Sequence, residues 1–530
     1  MLCKPSKYCK DMAEKLPSET LHEIFEHLVQ SNHDIDNLSH LLYPCLLVNR
    51  SWCVDMMKVL WSRPFHFLKK NSSKLIQVYL DGLSKEERID LIKVGINISD
   101  TASKMLFDYM SFLKDLNFEL IYIASQSWVD LYSNEDDEND MKFSKNDIME
   151  QQTFALAKGL CKAFLSRCGK LKCLDLSRTM KPMIPNHYLS IIKLPFAKEA
   201  FSQLKEFKFT ARDLDIDILQ DILKCCNSIR SLNMFSTPFS TDSLMEQDVD
   251  QRIDSLCTFL SSQRKVKQLT LHVEFRNPAS SKIAPIIPSI GQIDSLNWIK
   301  FFSIDFKSVT AGDIIEALSN VQTLLFEGCT LTLTDRRLHR AKFHRLTKIA
   351  FYRFKFSLDV MNDLIVGCEE TLQEIQMRGT ISDNLTDVNK RVRLISMFTS
   401  CSKLEHLEFH SSLFSLGTSS EIIDELGEAI PPSLLKFYVD CKFSPQELDA
   451  FLEKCRANLQ CLALDTDVKT TDEILAIARK YATSKKSLKK LILAGLGEQS
   501  INSSKELEAT RRMIKVDNTN YYTKSLTIWD

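Results

Sequence analysis

The sequence predicts an α/β chain: a bundle of three short helices, then an irregular solenoid of strand–helix repeats with parallel strands on a concave face and helices on a convex one. Two observations carry this. A pattern of the form L-x-x-L-x-L, with any large apolar residue at its anchors, recurs twelve times from Leu171 to Leu493, its starts 25 to 37 residues apart. Between the copies lie helical periods, as at 215–224, 253–261, 359–367 and 472–481. One strand and one helix cannot bury their own apolar faces, whereas stacked copies share a continuous core.

At the N-terminus, Leu21, Ile24, Phe25 and Leu28 stand at i, i+3, i+4 and i+7. They form one stripe of a helix that Pro17 opens, with Ser18 as its expected cap. Residues 29–40 include Ser31-Asn32-His33-Asp34 and Asp36-Asn37, which form turns and read as a loop. Leu42, Cys45, Leu46, Val48, Asn49, Trp52, Val59, Leu60 and Trp61 fall on two further helical periods. A segment of about fifty residues buries only a thin core, so such a bundle keeps a sticky face that wants a partner.

Residues 67–165 read as a helical linker or as one or two early repeats, with helical periods at 75–83, 85–94, 104–112 and 118–123. Phe65, Phe67 and Trp128 supply apolar surface to tie this stretch to its neighbours. The acidic run 134–140 lacks the glycine and the closing glutamate of a calcium loop and reads as a solvated loop. The repeats occupy 166–500. Their middle members carry anchors Leu296/Ile299/Phe301, Val321/Leu324/Phe326, Leu346/Ile349/Phe351 and Leu372/Ile375/Met377. Residues 501–530, with a helix over 504–515, are expected to cap the last unit.

Composition narrows the function. Lys plus Arg is 68 against 69 for Asp plus Glu, a net charge of −1, so no global field selects nucleic acid or a membrane surface. No apolar run approaches the ~20 residues of a membrane span. The 16 cysteines are scattered through apolar positions, and the first residues contain no secretory apolar core. Free thiols in a reducing compartment, the cytoplasm or the nucleus, are expected. There is no phosphate-binding glycine loop, nucleophile elbow or H-E-x-x-H. His406 and His410 share a strand face, which permits metal binding, but no third ligand accompanies them. No enzyme activity, cofactor or metal is expected.

The N-terminal segment resembles an F-box: Leu16-Pro17, the Leu21/Ile24/Phe25/Leu28 stripe, Val48-Asn49-Arg50-x-Trp52 and Leu60-Trp61 occur in order. Asn49 stands where the family usually has cysteine, and the 29–40 spacer is longer and more polar than the family's. The resemblance implies an F-box over 14–66 that binds a Skp-type adaptor and through it a cullin–RING ubiquitin ligase. It places Leu16, Pro17, Leu21, Ile24, Phe25, Leu28, Leu46, Val48, Trp52, Leu60 and Trp61 at the adaptor. The repeats resemble leucine-rich repeats, and the units of 25 to 26 residues look closest to the cysteine-containing kind found behind F-boxes. Cys329 is the clearest survivor of that kind's Asn or Cys after the last anchor.

Side chains alternate along a strand, so residues between the anchors face away from the core. In the middle repeats these are Trp298, Lys300 and Phe302, then Lys348 and Tyr352, Arg378, and His406 with His410. Large aromatics beside basic residues suit a protein interface, and these eight form the expected substrate site; alternatively, the rings pack along the sheet. The expected function is substrate recognition in a Skp–cullin–F-box ligase. The alternatives are an adaptor-bound scaffold acting without the cullin and, more remotely, a leucine-rich-repeat GTPase activator.

Overall fold

The computed structural model describes residues 16–31, 42–67, 72–99, 105–132, 145–177, 186–210, 221–222, 226, 228–236, 246–273, 284–306, 309–331, 342–381, 388–410, 425–465, 469–494 and 506–517. The chain divides into two compact units, Met1–Phe235 and Ser236–Asp530. The acidic run 134–140 and the tail beyond 517 lie outside the described residues.

The first unit opens with helices Ser18–Ser31 and Arg50–Leu60 and a helical turn at 42–46. Leu21, Phe25, Val29, Leu42, Met56 and Val59 make their common core, and Leu28, Cys45, Leu46, Trp52 and Leu60 pack partly buried against it. Phe25 meets Trp52 edge to face at 5.3 Å. The first helix runs past the expected start of the loop, through Ser31, because Val29 still reaches this core. Ser18 is helical rather than a cap. Its hydroxyl donates to Asp55 Oδ1 at 2.7 Å and, with Lys58 at 2.8 Å, satisfies a carboxylate that is 3% exposed. Asn49 caps the second helix, its side-chain oxygen accepting from the Trp52 amide at 2.9 Å.

Helices Ser72–Asp81, Lys85–Lys93, Phe118–Tyr132 and Lys145–Arg167 follow. Trp61 lies on Tyr109 at 4.1 Å and against Tyr79 at 5.4 Å, and Phe65 stacks on Tyr79 at 5.9 Å. Trp128 donates to Gln77 at 3.1 Å. The side chain of Phe67 lies outside the described residues. The expected helix at 104–112 is only a 3-10 turn, Tyr109–Phe112, because the residues after it form a strand. That strand, β1 (Asp115–Asn117), carries its own anchors, Leu113, Leu116 and Phe118, each 1% exposed or less. A repeat unit therefore already stands within 67–165.

In this unit β1 pairs with β2 (Cys173–Leu176), β2 with β3 (Glu206–Thr210) and β3 with β4 (Ser231–Ser236), all parallel. In the second unit the order is sequential and parallel: β5 (Gln268–Val273), β6 (Trp298–Phe302), β7 (Thr323–Glu327), β9 (Lys348–Phe356), β10 (Glu374–Ile381), β11 (His406–His410), β12 (Lys436–Lys442), β13 (Cys461–Asp465), β14 (Lys490–Ala494) and β15 (Lys515–Asp517). The two-residue β8 (Thr330–Leu331) pairs with β9. In each of the twelve anchor triplets the last two anchors fall on one strand of β2–β7 or β9–β14, and the first lies two residues ahead of it. The C-terminal stretch differs from the expected helix: a single turn, Leu507–Arg511, leads into β15, and Ile514 just ahead of that strand and Val516 on it extend the apolar row.

The register is held at the strand entrances. The carbonyl of Lys267 accepts the amides of Asn297 and Trp298, Asn297 those of Gln322 and Thr323, and Gln322 those of Thr347 and Lys348. The Ser62 carbonyl, just past the second helix, accepts the amides of Lys114 and Asp115 in the same way, so β1 has a preceding rung supplied by helical sequence.

On the inner face, Phe301, Phe326 and Phe351 stack at 5.6 Å intervals, all fully buried. The helices complete the core, as where Phe437 stacks on Phe451 of helix Pro445–Lys454 at 5.2 Å. Cys329 donates to the carbonyls of Phe301 and Glu327, both at 3.4 Å, and burial pushes its thiol up to about 12. Helices Ile286–Gly291 and Ala311–Ala317 approach so closely that a Cβ on Gly291 would stand 2.8 Å from the Ala317 carbonyl oxygen. Because that obstacle is backbone, G291A is expected to destabilise this unit by about 1–3 kcal/mol in urea denaturation.

Candidate functional site

The outward sheet face of the second unit holds the residues of the expected substrate site, on strands β6, β7, β9, β10 and β11. The register aligns Trp298, Thr323, Lys348, Glu374 and His406 in one row. A second row is Lys300, Leu325, Ala350, Gln376 and Glu408. Phe302, Glu327, Tyr352 and Arg378 form a third.

These side chains bond to one another. Lys300 pairs with Glu327 at 2.9 Å and lies 5.7 Å from the centre of the Phe302 ring, while Phe302 meets His272 edge-on at 4.2 Å. Lys348 Nζ is 3.1 Å from Glu374 Oε1, and His406 Nδ1 is 2.9 Å from the same oxygen. Gln376 donates to that oxygen too, at 2.8 Å, and accepts from the Tyr352 hydroxyl. Arg378 pairs with Glu408 and lies 5.6 Å from the Tyr352 ring centre. His406 packs on Tyr438 at 4.8 Å.

The electrostatics follow from this lattice. Burial works to raise the Glu374 carboxyl, but the His406 hydrogen bond and the charges of His406 and Lys348 outweigh it and hold the group below its ordinary value. Burial lowers Lys348 despite Glu374, and burial, with Glu408 nearby, raises the Tyr352 phenol. Lys348 is 7% exposed and Glu408 4%. A partner meets little of either, so both act mainly on the lattice. Tyr352, Phe302 and His406 pack along the sheet, the second of the two readings of these rings. Trp298 differs: it is half-buried, and its indole forms no ring contact or hydrogen bond among the described residues. The His410 side chain lies outside the described residues.

The sequence named the outward positions but not their pairing. The signal was present: opposite charges at the same row position of neighbouring strands, as in Lys348, Glu374 and His406, attract across a sheet. Among the described residues, no group of three His, Cys, Asp or Glu is placed to hold a metal, and no helix is long and apolar enough to cross a membrane.

In the first unit the residues expected at an adaptor separate into two sets. Leu21 and Phe25 are 1% and 0% exposed and build the bundle core; Leu28, Leu46, Trp52 and Leu60 pack against it. Trp61 is taken up by Tyr79 and Tyr109. Leu16, Pro17, Ile24 and Val48 are exposed. Tyr43 and Leu47, which sequence reasoning missed, are more exposed still, at 63% and 67%. They lie four residues apart, so their exposure is the outer side of the same turn that buries Leu42.

No family model matches the chain, and no curated protein matches it. Among solved structures, the leucine-rich repeat-containing protein LegL7 from Legionella pneumophila is similar over 64% of this chain and 96% of its own length, at 13% identity and a TM-score of 0.36. The strands and their anchors define an α/β fold built on long parallel sheets of strand–helix repeats, consistent with the leucine-rich-repeat pattern in the sequence.

Proposed function

We propose that the chain is a non-catalytic receptor that joins a protein client to a Skp-type adaptor and, through it, to a cullin–RING ubiquitin ligase. The observation that supports this most is the N-terminal bundle. Its interior is closed, yet Leu16, Ile24, Tyr43, Leu47 and Val48 stay exposed within a short span. Exposed large apolar side chains in such number mark a surface that another protein covers. The client contacts the outward face of the second unit, with Trp298 as the anchor. Catalysis is by proximity: a bound client presents its lysines at high effective concentration to a recruited conjugating enzyme.

The test is affinity capture with the full chain. I24E and L47E are expected to lose the adaptor, because each charge would have to be buried at the joint. W298A is expected to keep the adaptor and lose proteins that accumulate when the proteasome is blocked. Adaptor capture unchanged in both N-terminal variants overturns the docking assignment. Capture of adaptor without cullin by the unsubstituted chain overturns the ligase assignment in favour of a scaffold.

A further inference from the structure

The strand entrances of the first unit carry a row of basic residues. Lys114, Lys172, Lys205 and Arg230 occupy the same position ahead of β1, β2, β3 and β4. Their backbones are joined in series: the Lys172 amide donates to the Lys114 carbonyl at 2.8 Å, Lys205 to Lys172 at 2.8 Å and Arg230 to Lys205 at 2.7 Å. Strand spacing sets successive rungs about 4.8 Å apart, so the row is about 14 Å long.

Three of the four cations, Lys172, Lys205 and Arg230, are exposed and form no ion pair or side-chain hydrogen bond among the described residues. Two carboxylates adjoining the row in sequence have other partners: Asp115 Oδ2 pairs with His66 at 3.3 Å and Glu206 with Lys208 at 3.2 Å. Glu26 pairs with His22 at 3.2 Å, and His22 is itself 3.4 Å from Lys114 Nζ. Burial and then the Lys172 charge lower Lys114; burial and then Lys114, Lys172 and Lys58 lower His22 against the pull of Glu26. Glu26 opposes the shift of Lys114 as well, and an anion added beside these two groups would favour their charged forms.

We infer that this rim is a binding site for an acidic, extended segment of a partner protein, with Lys172, Lys205 and Arg230 as its contacts. Four to five extended residues match the length of the row, and flexible basic arms reach carboxylates on one side of such a strand. Single-stranded nucleic acid sites combine a basic track with aromatic platforms, and none of the four rung positions is aromatic. Duplex binding draws on a broad positive field, whereas the chain's net charge is −1. The site does not depend on the adaptor assignment.

The experiment uses the full chain and fluorescence anisotropy at low salt. Its probes are a labelled short peptide of aspartate and glutamate, a lysine peptide, and an oligothymidylate of equal formal charge. The acidic peptide is expected to bind and the lysine peptide to fail. The triple variant K172Q/K205Q/R230Q is expected to bind the acidic peptide about tenfold more weakly, with a flatter salt dependence. A control, K403Q/K436Q, removes two exposed lysines of the other unit and is expected to leave binding unchanged. Adaptor capture by the triple variant, expected to be intact, separates this result from failure of the receptor assignment. Equal binding by the triple variant, tighter binding of the oligothymidylate, or no binding of the acidic peptide overturns the inference.

Discussion

Replacing Phe326 by alanine is expected to cost the second unit about 3–5 kcal/mol, the largest effect of any single substitution proposed. The ring is fully buried between Phe301 and Phe351, 5.6 Å from each, and Phe306 closes a third side at 6.0 Å. Every neighbour is itself an anchor of a repeat or packs on one, so none can move inward without dragging its strand. The cavity would stay open, and the loss would include both transfer and cavity terms. Urea denaturation should show a lower midpoint, and hydrogen exchange should accelerate first in β6, β7 and β9. F326L, which keeps much of the volume, should recover more than half of the loss; an alanine variant as stable as the parent would show that the column does not hold these units together.

Removing Arg378 comes next in size. R378A leaves the Glu408 carboxylate, 4% exposed, without its guanidinium and uncovers one side of the Tyr352 ring. Breaking a buried pair from one side costs about 3–5 kcal/mol. The charge of Lys348 also acts on Glu408, which puts the expectation near the lower end, about 3 kcal/mol. The double variant R378M/E408L removes both charges at similar volume and should be more stable than R378A alone. If R378A lost no more than a surface substitution, the lattice would be a solvated ornament rather than a structural one.

Repetition made most of the strand architecture legible in the sequence. A register error in one unit is corrected by its neighbours, and the anchors at Ile299, Leu324, Ile349 and Ile375 all lie where the pattern placed them. β1 escaped although Leu113, Leu116 and Phe118 fit the pattern, because its last anchor is also the first residue of a helical period, Phe118–Tyr132. Ser18 misled because Pro17 and Ser18 look like a helix start, while the demand came from Asp55, 37 residues away. No local pattern encodes that. The site was legible as a set of positions and not as a set of bonds. Which face Lys348 and Arg378 occupy follows from alternation, but whether they meet solvent or Glu374 and Glu408 depends on lateral register between units dozens of residues apart.

The double acceptance by Ser62 has a consequence for association. A parallel sheet built by repetition has no intrinsic reason to stop, and an open first strand is a template for another chain. Here the β1 strand is three residues long, and the amides at its entrance are already claimed by a carbonyl from a helical segment. The entrance of the first strand is thereby closed by the chain's own backbone. Another copy of this protein would have to pair with β1 without those two amides.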